Sequence, residues 1–313
     1  MGCWAVSHNR EVKWLANDGE VVVGFRQRRI AYSDSMGYDL KCMDYEHRPI
    51  GMFVSTAILN WKELPFYPPN LRASGKPNYN DKALKAYKAS WDLWLTPQGC
   101  REMGMNFKEV WLGRNMIWDF DSPEAPLLAF EYADKVGEYL EGLGYHPLIV
   151  FSGNKGFHVW LPHDESAELA GIDWEALADT EDDPLRVCGK IYAGYVSEVA
   201  YEATGEHIPL IDLSPNYRQG VIRCPFSINE KSGQVVWPLT TQQREQLRLI
   251  PSNLAQEMEV HHIGKILHGD TMDNQGLGEA PTAVPLEKTI TRRWEQSYWN
   301  PTSSSSLQRP TMQ

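Results

Sequence analysis

Residues 148–161 read LIVFSGNKGFHVWL. An apolar run from Leu148 to Phe151, a glycine-rich tip and a second apolar run constrain this stretch to a β-hairpin, because only a chain reversal joins two such runs over so few residues. The tip admits two readings. In one it is a tight turn and His158 is a core histidine. In the other, Gly153 and Gly156 let the backbone approach an anion and point N–H groups at it, while Ser152 and Lys155 add a hydroxyl and a charge. A tip of that kind can bind a triphosphate.

The chain has 313 residues, 42% of them hydrophobic, enough for one large or two modest domains with a real core. A net charge of −11 argues against a protein that coats nucleic acid non-specifically, and leaves room for a local basic groove. Cys3, Cys42, Cys100, Cys188 and Cys224 are far apart and form no CxxC pair, so neither a disulfide scaffold nor a zinc site is expected. No basic start with an apolar signal segment is present, and no apolar run approaches the roughly 18 to 20 residues of a membrane span. The expectation is a soluble protein of a reducing compartment, the cytoplasm, without a membrane partner.

Short β-like runs (Val21–Phe25, Gly51–Ser55) open the chain, and the spacing of Leu84, Tyr87 and Trp91 predicts a helix from Asn80 that TPQG ends. Strands are predicted around Glu109–Leu112 and Asn115–Phe120. A helix follows, with Ser122 as N-cap, Pro123 at its first position and Leu127, Phe130, Val136, Leu140 and Leu143 on its buried face. Residues 163–182 form a polar, acidic excursion. Pro184–Thr204 reads as a helix with a stripe of Val187, Ile191, Tyr195 and Val199, closed by Gly205. IPLID, GVIR and QVVWP read as strands, and Thr240 with Gln243 as a capping box for a helix to about Ile250. HGDTMDNQGLGEAPTAVP (268–285) reads as mostly loop and SYWNPTSSSSLQRPTMQ (297–313) as a low-complexity tail.

The segment MIWDFDS carries the strongest chemical signal. Strand alternation puts Asp119 and Asp121 on one side of an apolar strand, where two close carboxylates repel unless a cation or a proton intervenes. A hard divalent ion is the natural partner. The plainer alternative is a solvated cap for the next helix. Asp212, at the end of IPLID, is either a turn residue or a third acid converging on the same sheet edge. Three such acids suit two metals about 3.5 to 4 Å apart and phosphoryl or nucleotidyl transfer. In GVIRCPFSINEKSGQVVWPL, Arg223, Ser227, Asn229 and Lys231 surround a tight turn and either hold phosphates or are simply solvated.

Taken in order, WDFD, SGNKGFHVW, LIDLS and RCPFSINEKSGQVVWPL resemble the motifs of the archaeo-eukaryotic primase superfamily: hhhDhD, SGxxGxH, hD, and a basic residue before P-x-S-x-H-x-K-T-G. The likeness is greatest to the catalytic small subunit of DNA primase. It implies that Asp119, Asp121 and Asp212 are catalytic metal ligands, and that Ser152, Gly153, Lys155, Gly156, His158, Arg223, Ser227, Asn229 and Lys231 bind the nucleotide. Asn229 stands where the family has histidine, and the zinc module of many members has no counterpart. More weakly, NREVKW resembles the family's R-E-F segment.

The resemblance implies an α/β fold with a two-part primase-polymerase core, an N-terminal α/β portion (about 1–105) and a C-terminal portion like an RNA-recognition fold (about 106–250), with the active site in the cleft between. An extension (251–297) completes the catalytic domain 1–297, and 298–313 is a disordered tail. The implied activity is primer synthesis from NTPs or dNTPs on single-stranded DNA, with two Mg²⁺ or Mn²⁺ ions. Rival readings are a repair or translesion primase-polymerase, an end-joining polymerase, and an inactive nucleic-acid-binding scaffold. A primase large subunit, a helicase and other replication proteins are the implied protein partners. Template candidates are the local cations Arg26–Arg29, Lys82, Lys85, Lys88, Arg101, Lys108, Arg114, Arg292 and Arg293, and the twelve tryptophans offer stacking surfaces.

Overall fold

The computed structural model describes residues 10–18, 21–31, 49–60, 95–218, 220–229, 231–251 and 258–268, with side chains from residue 51 onward. Three strands come first, β1 (Arg10–Asp18), β2 (Val21–Ala31) and β3 (Pro49–Ser55), then the short β4 (Ala57–Leu59). β1 pairs antiparallel with β2 and β3, which puts Val12 opposite Arg29 on one side and Val54 on the other.

The helix expected from Asn80, and with it the expected end at TPQG, lies outside the described residues; TPQG itself opens a helix. In α1 (Pro97–Glu102) the Thr96 hydroxyl accepts from the Gly99 N–H at 3.1 Å, and Pro97 sits in the first turn, where no N–H is needed. Asn106 Oδ1 accepts from the Lys108 N–H and winds one turn, α2 (Phe107–Val110), before β5 (Trp111–Arg114) begins, so the strand starts two residues later than alternation predicts. β5 pairs with β4.

The centre is built as strand, helix, strand, strand, helix, strand: β6 (Met116–Asp121), α3 (Pro126–Gly142), β7 (Leu148–Phe151), β8 (Gly156–Leu161), α6 (Pro184–Thr204) and β9 (Ile211–Asp212). Two short helices, α4 (His163–Leu169) and α5 (Trp174–Thr180), fill the polar excursion between β8 and α6. A 3₁₀ turn (Ser214–Asn216), β10 (Val221–Arg223), β11 (Trp237–Pro238), α7 (Thr241–Arg248) and α8 (Val260–His268) complete the described chain. One antiparallel sheet runs β11-β7-β8-β6-β9, the β-α-β-β-α-β arrangement expected of an RNA-recognition-like portion. The second runs β10-β3-β1-β2, so a strand from the motif-bearing half is built into the N-terminal sheet. The fold is mixed α/β with helices and antiparallel sheets.

Period-two alternation sorts β6 and β8 into two faces. Met116, Trp118, Phe120, Phe157, Val159 and Leu161 are buried on the face that receives Phe130, Val136 and Leu140 of α3 and Tyr192, Val196 and Val199 of α6. Each large side chain buried there contributes about 1.5 to 3 kcal/mol. The opposite face carries Ile117, Asp119 and His158.

Both long helices follow the expected periods with local differences. Ala125, not Ser122, precedes α3, with Pro126 in its first turn, and the Ser122 N–H donates to the Lys155 carbonyl at 2.8 Å. Leu143 is exposed, one residue past the helix. In α6 the buried stripe is Leu185, Cys188, Tyr192, Val196 and Val199, one position on from the expected one, and Val187, Ile191 and Tyr195 are half-buried. Gly205 closes it at φ +77°. The Thr240–Gln243 capping box is formed, and α8 follows it in the chain. All described residues fall in one compact unit, Met1–Asp270, and the tail 298–313 lies outside them. Among the described residues no helix is long and apolar enough to cross a membrane.

Candidate functional site

Register across three neighbouring strands builds the site. Asp119 on β6 lies opposite His158 on β8 and opposite Asp212 on β9, so the three form one row on the face away from the helices. Asp121, two residues along β6, shares that face and lies opposite Gly156. The acids read from two separate motifs are thus brought to one sheet edge.

Gly156 makes the close approach possible. A Cβ there would lie 1.8 Å from the Phe120 carbonyl oxygen and 2.9 Å from Asp121 Oδ1. Within the tip, Ser152 Oγ accepts from the Gly156 N–H at 3.1 Å, and the Ser152 N–H donates to the Gly156 carbonyl at 2.9 Å. Gly153 sits at φ +80°. The Lys155 ammonium is directed back at the acids, with Nζ 2.5 Å from Asp121 Oδ2.

Asp119 is 8% exposed, and its Oδ1 has no hydrogen-bond partner. His158 Nε2 is 3.3 Å from that oxygen, off the line that a hydrogen bond needs. Burial, then the charges of Asp121 and Asp212, push the Asp119 carboxyl well above the ordinary carboxylate range, with Lys155 and Arg223 opposing. His158 is buried with Nδ1 unpartnered, and burial, helped by the Arg223 charge, lowers it to about 3. The ring is therefore neutral at pH 7 and brings a dipole to the site, not a charge. Asp212 is exposed and accepts the Ser214 N–H on Oδ1 and the Ser214 hydroxyl on Oδ2, both at 2.8 Å.

Arg223 reaches the site from the other sheet. Its pairing opposite Phe53 on β3 stacks the guanidinium over the Phe53 ring, 4.3 Å from the centroid. Phe53 has no signal in the sequence, since a pairing between segments so far apart is invisible to local pattern. The remaining residues of the last motif are taken up by the fold. Ser227 Oγ donates to the Cys224 carbonyl at 2.7 Å. Asn229 is buried, donates Nδ2 to the Ser152 carbonyl at 3.0 Å and accepts the Lys231 N–H on Oδ1 at 3.1 Å. The Ser232 hydroxyl donates to the Gly153 carbonyl. These bonds clasp the 229–232 turn to the hairpin tip, and the Lys231 side chain is left exposed.

Two of the candidate template cations are otherwise engaged. Lys108 pairs with Asp179 at 2.9 Å. Arg114 is fully buried and donates to the carbonyls of Leu185 and Tyr217 and to Thr56 Oγ1. Arg101 is exposed, and the others lie outside the described side chains.

The row offers oxygen donors of the kind a hard divalent ion takes, and the orphaned Asp119 oxygen is the atom such an ion would satisfy. Among the described residues no group of three or more His, Cys, Asp or Glu side chains is already arranged as a cage, and Lys155 is paired with one of the acids. No protein-family model matches the chain, and no curated protein does. Among solved structures it is similar to the polymerase domain of Ligase D from Mycobacterium tuberculosis in complex with DNA, at 13% identity and a TM-score of 0.42, over 85% of this chain and 83% of that one.

Proposed function

We propose that the chain is a metal-dependent nucleotidyltransferase that copies a single-stranded DNA template, a DNA primase or primase-polymerase using Mg²⁺ or Mn²⁺. One observation carries this reading: Asp119, Asp212 and His158 share a row across three strands, Asp121 lies on the same face, and a glycine-rich tip with a cation closes over it. A nuclease has no need of that tip, whereas an enzyme that takes a nucleoside triphosphate does. When bound, the metal would activate the attacking hydroxyl and stabilise the departing pyrophosphate.

The protein's part is placement and charge. Asp119, Asp121 and Asp212 would hold the ions. Lys155 and Arg223 neutralise the triphosphate, and the Ser152 hydroxyl, an acceptor from Gly156 in this state, retains a proton to donate. His158, neutral and walled in, fixes the environment of Asp119. Fixed groups of this kind cost no reorganisation during the reaction.

The test is synthesis on single-stranded DNA with Mn²⁺ or Mg²⁺ and no supplied primer, comparing labelled ribonucleotides with deoxyribonucleotides. Short products that vanish in Asp119→Ala/Asp121→Ala are expected, and the preferred sugar separates replication from repair. Extension only of supplied ends would favour an end-joining polymerase. No product from folded protein, with or without a primer, would leave the inactive scaffold.

A further inference from the structure

We infer that Lys155 is a placeholder for the metal: its ammonium neutralises Asp121 while the site lacks a divalent ion, and ion binding releases it to the phosphates. The inference rests on the nucleotidyltransferase reading and adds a linkage between its two ligands. Lys155 Nζ lies 2.5 Å from Asp121 Oδ2, an oxygen that a metal at this edge would claim. Both cations cannot hold it together, since like charges at that separation repel strongly.

The surroundings let the side chain move while its backbone stays. The Ser122 N–H donates to the Lys155 carbonyl at 2.8 Å, and the Ser152–Gly156 bond closes the tip beside it. Only the four-carbon stem is left to swing. The pair is half-exposed, with Lys155 41% and Asp121 26% accessible, so it is weak and readily exchanged. Asp119 has no such substitute, because its Oδ1 is buried without a hydrogen-bond partner. A divalent ion therefore gains on Asp119 what an ammonium on Asp121 does not supply.

Exchange makes the two ligands cooperative. Metal on Asp121 frees a cation for the triphosphate, and a triphosphate that draws Lys155 away frees Asp121 for metal, by reciprocal linkage. Lys155 thus opposes metal binding when no nucleotide is present.

The test is Mn²⁺ titration without nucleotide at low ionic strength, free ion being read by electron paramagnetic resonance. Lys155→Met should bind Mn²⁺ about two- to fivefold more tightly than the natural protein, and Lys155→Arg should not. In an Asp121→Asn background, Lys155→Met should bring no gain. Equal or weaker binding by Lys155→Met, or a gain that persists without Asp121, would overturn the inference while leaving the metal site intact. Absence of Mn²⁺ binding by both the natural protein and Lys155→Met would overturn the nucleotidyltransferase reading with it.

Discussion

A carboxylate buried as Asp119 is needs a cation or a proton, and its neighbours Asp121 and Asp212 sharpen the need. Its folded-state value lies above that of an unfolded chain, so its contribution to stability is full below about pH 4 and is lost as pH rises through the folded value. Asn at this position does not titrate. Metal-free Asp119→Asn should therefore match the natural protein near pH 4 and be more stable by about 1 to 3 kcal/mol at pH 8. Melts in a chelator read this directly, and a difference that stays flat with pH would show Asp119 ionising without penalty. Added Mn²⁺ should raise the melting temperature of the natural protein alone. The two β6 acids are legible in the sequence because alternation on an apolar strand leaves no other arrangement. The sequence leaves the burial of His158 as one of two readings, and the pairing of Lys155 is not legible at all, since it depends on what the neighbouring strand brings.

At the scale of elements, the hairpin tip is rigid because a second turn holds it. Asn229 bonds Ser152 and the Lys231 backbone, Ser232 bonds Gly153, and Gly153 has room for no side chain, its Cβ position lying 2.9 Å from that of Asn229. Asn229→Ala should cost about 1 to 3 kcal/mol through the two backbone groups it strands. Asn229→His, which restores the residue of the resembled family, should also lower the melting temperature, since a ring overfills a position that is 3% exposed. A more stable histidine variant that binds nucleotide more tightly would show that the position serves the ligand rather than the clasp. Helix extents were legible from capping residues and apolar period: α6 and the start of α7 lie where Pro184, Gly205 and Thr240 put them.

Across the whole molecule, segments far apart in the sequence are joined by contacts that local pattern does not encode. Arg114 is the clearest: wholly buried, it ties β5 to the start of α6, to Thr56 and to the turn at Tyr217. Burial lowers its pKa, and only the carbonyls and hydroxyl around it make its charge tolerable. Arg114→Met should cost about 1 to 3 kcal/mol in denaturant unfolding, because those buried acceptors lose their donor. A cost under about 1 kcal/mol would mean that water replaces the guanidinium. The pairing of β10 with β3, which places Arg223 beside the acids, spans most of the chain and likewise has no local sequence signature. The measurement that tests the central claim most directly is single-nucleotide extension on templates of defined sequence with Mn²⁺, with pyrophosphate release followed alongside incorporation. Addition of only the complementary nucleotide, one pyrophosphate per addition and no reaction from Asp119→Asn or Asp212→Asn is the predicted result. Addition that ignores the template, or that survives both substitutions, would contradict it.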